Sequence, residues 1–517
     1  MKRLSQLIAA TAFSFGLSVG AFAQDADKVN VLFIAVDDLK PAIGAFGDPL
    51  AKTPNMDRLA ERGTIFTNAH CQQAVCAPSR VSLLTGLRPD TTKVWDLQTQ
   101  MRAALPDVVT IPGAFKGAGY ASVGMGKIFD PRSAGGYESM DEVSWSEPFV
   151  YVENAADKTF SYRDLNVVAH IEEVRANTEL PPGWEAQLKV IFPDGKPSID
   201  KADVPDEAYV DGAMADYAAG RLEGYAESGE AFFLAVGFQK PHLPFNAPSK
   251  YWDQWDRDDF ELAEFRETPE GAPAFATQPG WELRNYDVVD EGPIPEDVQL
   301  ELIHGYYAAT SYIDAQVGQL LDALDETGLA DNTIIILWGD HGWHLGDHDM
   351  WCKHTNYEQA TRSPLIIVDP RIAEPVAVNA SPVEFVDVYP TLLDLAEIEP
   401  PHEMHGASLV PIMSGDADRV KDVAVSQYPR GGGSNSMMGY AYRTDRYRLI
   451  QWRLQNAKHE GETDGPVVAT ELYDYETDPL ETRNLATDPD YVDVLEAMQQ
   501  LAQQHRESVG KPAVFGE

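Results

Sequence analysis

The sequence predicts an α/β sandwich on a large, mostly parallel sheet, followed by a smaller α+β unit with an antiparallel sheet. Near-continuous apolar runs rich in β-branched residues recur along the chain, helical patterns separate them, and after about residue 425 the texture changes to short alternating runs. Runs without apolar/polar alternation fit strands covered on both faces, the condition of a parallel sheet between helices.

The chain opens with MKRLSQLIAATAFSFGLSVGAFAQ: a basic start at Lys2 and Arg3, an apolar run, then the small-x-small pattern Ala21-Phe22-Ala23. That order predicts a signal peptide over 1–23 and a periplasmic or secreted mature protein, and no later stretch reads as a membrane span. VNVLFIAVDDL (29–39) is the first buried strand and ends in two aspartates. TPNMDRLAERG (53–63) has helical periodicity with a glycine after its end. In CAPSRVSLLTGLRP (76–89) Pro78 starts a helix, which puts Cys76 near its N-terminus.

From about 130 to 230 the chain reads as loop-rich, with many Pro, Gly and charged residues, and is expected to shape a pocket rim. AFFLAVGF (231–238), TIIILWGDHG (333–342) and SPLIIVDP (363–370) read as further buried strands. The long helical pattern YYAATSYIDAQVGQLLDALDETG (306–328) precedes the second of these. MGYAYRTDRYRLIQWR and ATELYDYETDP then read as antiparallel strands before a helical tail. The expected division is 24–420 for the main domain and 421–517 for the C-terminal one.

With 517 residues and 44% hydrophobic content the chain is globular, and its formal charge of −42 becomes −44 once Lys2 and Arg3 leave with the leader. So acidic a surface excludes nucleic acid as partner. It fits a salt-adapted secreted protein, or one that captures a small anion in a locally basic pocket. Three cysteines, Cys71, Cys76 and Cys352, leave at least one thiol unpaired, although Cys71 and Cys76 could pair locally.

In open α/β sheets, sites form at the carboxyl ends of strands, where Asp37-Asp38 and Asp340-His341 both fall. Adjacent carboxylates repel, and a hard divalent cation keeps both ionised. Calcium suits the oxygens, while the imidazole of His341 leaves the metal open on chemistry alone. Cys76 at a helix N-terminus is placed where a thiolate or an attacked oxyanion is favoured.

The string Cys76-x-Pro78-Ser79-Arg80-x-x-x-Leu84-Thr85-Gly86 resembles the signature of the type I sulfatases, with Asp37-Asp38 upstream and GDHG downstream as in that family. GFQKPHLPF, DHGWHLGDHDMWCKHTNYEQATRSPLI, SQYP, MGYAYRTDRYR and ELYDYETDPLETRNL are similar to the iduronate-2-sulfatase branch. The resemblance implies an alkaline-phosphatase-like sandwich with a large mixed sheet. It also implies a Cys76 converted by a formylglycine-generating enzyme to formylglycine, whose hydrate attacks sulfur with one hydroxyl and expels sulfate with the other.

By the same resemblance, Asp37, Asp38, Asp340, His341 and residue 76 hold calcium, and Arg80 orients and neutralises the sulfated intermediate. Lys127, His242 and Lys353 grip the sulfate, one of them protonating the departing sugar hydroxyl. Read without the family, Lys127 and Lys353 are solvated loop lysines and His242 is a packed loop residue. His344 and His348 are expected to line the pocket and Trp351 to offer a stacking face. One departure stands out. Phe129 and Asp130 occupy positions where the family has a histidine, so Asp130 is expected to orient the nucleophile or accept its proton.

The implied activity is removal of sulfate from a sulfated saccharide, a uronate sulfate released in glycosaminoglycan-type polysaccharide breakdown. The alternatives are a phosphonate or phosphate-ester hydrolase on the same scaffold and a non-catalytic sulfated-glycan-binding protein.

Overall fold

A computed structural model describes residues 28–152, 160–288, 292–432, 436–455 and 465–509; the leader read at 1–23 lies outside them. The main sheet has seven strands: β1 (Asn30–Val36), β2 (Thr64–Phe66), β3 (Ala121–Gly126), β4 (Phe232–Phe238), β5 (Thr333–Gly339), β6 (Leu365–Val368) and β7 (Val378–Asn379), in the order β7-β2-β6-β5-β1-β4-β3. All run in one direction except β6, which pairs antiparallel with both β5 and β2. The sheet is mixed and mostly parallel, as expected, but SPLIIVDP enters it reversed.

Alternation along β1 shows how the layers form. Val31, Phe33 and Ala35 pack on one side against α1 (Cys76–Thr85) and a helix at Val388–Leu395. Leu32, Ile34 and Val36 pack on the other against α2 (Val210–Ser228) and α3 (Glu296–Thr327). Both faces are buried, which explains why the strand sequence lacks alternation. The long helix α3 ends on Gly328, whose φ of 73° closes it in the left-handed conformation.

The stretch read as loop-rich from 130 to 230 holds helices at Leu165–Asn177 and Trp184–Ile191 besides α2. A four-stranded antiparallel sheet follows, β8 (Ala424–Arg430), β9 (Met437–Arg443), β10 (Tyr447–Leu454) and β11 (Val467–Asp474), and then a helix at Val492–Val509. No helix among the described residues is long and apolar enough to cross a membrane.

Candidate active site

Strand register builds the site. Val36 lies opposite Phe238 and Gly339, and Gly126 opposite Gly237, so β1, β3, β4 and β5 end at one level. The residues just beyond each strand are therefore gathered at one edge: Asp37-Asp38, Lys127, the 239–245 segment and Asp340-His341. The backbone closes this edge, with Asp37 N donating to Phe238 O (3.1 Å), Asp340 N to Val36 O (3.2 Å) and Lys127 N to Gly237 O (2.7 Å). Gly237 permits the last contact, since a Cβ there would lie 2.3 Å from the Lys127 carbonyl carbon.

α1 points its first turn at this edge. Cys76 is its first residue and Arg80 stands one turn later on the same face. The Cys76 Sγ lies 3.4 Å from Lys127 Nζ and 3.6 Å from His341 Nε2. Arg80, fully buried, donates from Nη2 to Asp37 Oδ1 and from Nε to Asp340 Oδ2, both at 2.9 Å, and from Nη1 to the carbonyls of Lys127 and Ile128. Its fork is thus spent on locking two carboxylates in place.

Asp38 has a separate circle of partners. Lys353 Nζ donates to both its oxygens (3.0 and 2.9 Å), and His341 Nε2 lies 3.3 Å from Oδ1. Lys353 also pairs with Glu282 Oε2 at 2.9 Å and lies 4.9 Å from the centre of the Trp343 ring. His242 Nε2 is 3.0 Å from Glu282 Oε1, while its Nδ1 faces Leu243 O at 2.7 Å, so both ring nitrogens face oxygen acceptors.

Charge at the centre is uneven. Burial pushes the Asp37 carboxyl up, but Lys127 and Arg80 outweigh it and hold the group well below the usual carboxylate range. Burial, aided by Asp37, leaves Asp38 above that range despite His242 and Lys353. Burial and then Asp37 push the Cys76 thiol well up. The thiolate expected at the helix N-terminus is therefore not favoured: desolvation and a neighbouring carboxylate overcome the helix dipole. All three cysteines are free and buried, so Cys71 and Cys76 are not paired.

Ligand atoms of Asp38, Cys76, Asp340 and His341 lie within 4.8 Å of one another, as do those of Asp37, Asp38, Cys76 and His242. His341 Nδ1 faces Gly342 O at 3.0 Å, which directs the lone pair of Nε2 inward, the tautomer a metal ligand needs. With Asp38 still short of compensating charge, this donor set fits a divalent cation.

Other expected residues are placed differently. Asp130 is buried and committed to Arg132, which donates to it from Nε (2.9 Å) and Nη2 (2.7 Å), so its oxygens face a guanidinium instead of the nucleophile. His348 stacks on Tyr357 and its Nε2 faces Leu480 O at 2.8 Å; Trp351 packs in a core cluster with Trp343, Leu345 and Cys352. His344 is buried with Nε2 2.9 Å from Thr355 Oγ1. None of these three rings is free to line a pocket. Sequence reasoning missed Glu282 and Arg132. The spacing of Arg132 two residues after a carboxylate in a turn was the only available signal for either.

Residues 29–398 match the family model described as "Sulfatase", and residues 346–508 match "N-sulphoglucosamine sulphohydrolase, C-terminal". Iduronate 2-sulfatase of Homo sapiens is 34% identical over 529 residues, covering 89% of this chain and 92% of that one. A solved 2-O GAG sulfatase superposes with a TM-score of 0.65 at 22% identity, covering 94% of this chain and 93% of its own. Phosphonate monoester hydrolase of Agrobacterium radiobacter gives 0.69 at 21% identity, covering 95% and 100%. At these identities the two solved structures establish a common fold.

Proposed function

The chain belongs to the sulfatase family, and from that premise we propose that it removes the 2-O-sulfate of a uronate, iduronate or a near relative, through a formylglycine made from Cys76. It is a sulfuric ester hydrolase acting on sulfated sugars, with an alkaline-phosphatase-like fold. The observation that carries the proposal is the position of residue 76: first in a helix, at the level of four strand ends, with Lys127 and His341 within 3.6 Å of its Sγ.

Formylglycine, installed by a formylglycine-generating enzyme, supplies in its hydrate a hydroxyl that attacks sulfur and a second hydroxyl whose deprotonation releases sulfate. Asp37, Asp38, Asp340, His341 and residue 76 would hold a divalent cation, in our reading calcium, which supplies Lewis acidity to the oxygens beside it. Lys127, paired with Asp37, and Lys353, paired with Asp38, would hold sulfate oxygens. His242, partly exposed and with Nε2 turned to the pocket's carboxylates, is the group placed to protonate the departing sugar oxygen. Arg80 keeps Asp37 and Asp340 fixed while this happens. The leader pattern at 1–23 supports a periplasmic or secreted setting.

The test is the mass of the peptide bearing Cys76 in protein from its native host, followed by sulfate release from a 2-O-sulfated uronoside. A loss of about 18 Da relative to cysteine and release of sulfate support the reading. An unmodified thiol in active protein would overturn the nucleophile. Modified protein that binds the sugar without releasing sulfate would favour the glycan-binding alternative, and faster hydrolysis of an aryl phosphonate than of any sulfate would favour the phosphonate one.

A further inference from the structure

Asp130, where the family pattern is broken, and Arg132 two residues on form a rigid unit at the edge of the site. Asp130 is fully buried and receives three hydrogen bonds from Arg132: its backbone N (3.0 Å), Nε (2.9 Å) and Nη2 (2.7 Å). Ser133 Oγ donates to Asp130 O at 3.0 Å and fixes the turn. The guanidinium is oriented by this fork, its side chain remains 46% exposed, and Nη1 has no hydrogen-bond partner among the described residues.

The unit lies close to the reacting atoms. It begins three residues after Lys127, whose Nζ touches both Asp37 and Cys76. Arg132 lies within electrostatic reach of Asp37 and residue 76, and the exposed Tyr137 within reach of Lys127, Asp130, Arg132 and Asp37. On the Asp38 side the pocket presents the opposite chemistry, since Glu282 stands against Lys353 and His242. A second anionic group on the substrate is repelled by Glu282, whereas sugar hydroxyls are welcome there. On the Asp37 side Arg132 offers an oriented N–H donor whose edge is not taken by Glu282.

We infer that Arg132, held by Asp130, is a specificity residue whose free guanidinium edge receives the carboxylate of the same uronate that carries the scissile sulfate. The inference rests on the uronate 2-O-sulfatase reading. Because Asp130 neutralises the pair, recognition comes from directed N–H groups and not from net charge, so the effect is moderate. The carboxylate of the substrate is the group that Asp130 alone would have opposed. With Arg132 in place the departure from the family becomes a discriminating element.

The experiment compares kcat/KM for a 2-O-sulfated uronoside and its carboxyl-reduced counterpart, a 2-O-sulfated hexoside, using fully formylglycine-modified wild type, Arg132→Gln and Arg132→Lys. The wild type should prefer the uronoside. Arg132→Gln should reduce that preference about tenfold, mainly through KM, and Arg132→Lys, which keeps charge but loses the fork, should fall between. Equal preference in wild type and Arg132→Gln, or no preference in the wild type, overturns the inference. Should the wild type release sulfate from neither sugar, the uronate sulfatase reading itself fails. Calorimetric binding of the two sugars to the same proteins then reads the subsite: equal affinities overturn it, and tighter binding of the uronoside lost in Arg132→Gln supports it. Thermal unfolding of each variant guards against misfolding, and the wild-type comparison requires no variant.

Discussion

Glu282 occupies the position an incoming sulfate would contest, because it holds Lys353 and His242 at 2.9 and 3.0 Å. If it merely competed, its removal would tighten substrate binding. Lys353 is also held by Asp38, however, and without Glu282 both it and His242 would be drawn toward Asp38 and away from the sugar. Glu282→Ala is therefore expected to lower kcat by about 10- to 100-fold, with Glu282→Gln, which keeps an acceptor, retaining more activity. Steady-state kinetics showing a lower KM with kcat intact would contradict this. Asp37, Asp38, Asp340 and His341 were legible because each lies directly after an apolar run, and Cys76, Arg80, Lys127, His242 and Lys353 because family motifs contain them. Glu282 was not legible. It lies in QPGWELRNYD, which has no period, and reaches the site because Gln278 Nε2 donates to the carbonyls of Trp351 and Lys353, laying the segment along the lysine loop.

The C-terminal sheet also acts on the site. Arg448 on β10 is fully buried and donates from Nη1 to Asn356 O (2.6 Å) and Thr361 Oγ1 (3.1 Å), from Nη2 to Glu358, and from Nε to the Tyr475 hydroxyl (2.7 Å). Arg430 at the end of β8 donates from Nη2 to His354 O at 2.6 Å. Two strands of the small sheet thus pin the backbone just beyond Lys353. Arg448→Met would strip Glu481 of its ion pair and leave Glu358 to Arg443 alone, a loss of about 3 kcal/mol. Urea unfolding should show that loss, and kcat should fall with it because Lys353 is no longer braced. Normal kcat in a destabilised variant would show that the sheet supports stability alone. At this scale the strands were legible and their directions were not, since a buried β-branched run such as SPLIIVDP is the same sequence read up or down the sheet. α2 was missed for another reason. VDGAMADYAAGRLEGYAES is rich in Ala, Gly and acidic residues, and its small buried side chains gain their helix by packing closely on α3.

A chain of net charge −42 invites the expectation that acid stabilises it by relieving repulsion. The buried groups argue otherwise. Burial lowers the pKa of His70, His344, His354 and His505 to about 3 and that of His405 to about 4. An unfolded histidine titrates near 6.5, so below about pH 6.5 the unfolded chain takes up protons that the folded one refuses. That stability is complete above about pH 6.5 and is lost as pH falls toward 3, amounting at pH 5 to roughly 2 kcal/mol per histidine, or about 10 in all. Asp211 and Asp314, pushed up to about 6 by burial, work in the other direction. Their cost is greatest above pH 6 and is partly relieved on acidification, returning about 1.4 kcal/mol each by pH 5. An isolated carboxyl in a model peptide titrates near pH 4, below this range, so the change falls to the buried groups. The histidines prevail, and urea unfolding at constant salt should show stability falling by about 7 kcal/mol from pH 7 to pH 5, a large part of the 5–15 typical of a folded domain. His70, whose Nε2 is 2.8 Å from Asn68 Oδ1, offers the decisive variant. His70→Gln should remove about 2 kcal/mol of that acid-induced loss, whereas stability that rises between pH 7 and 5 would mean that charge on the surface outweighs charge refused by the core.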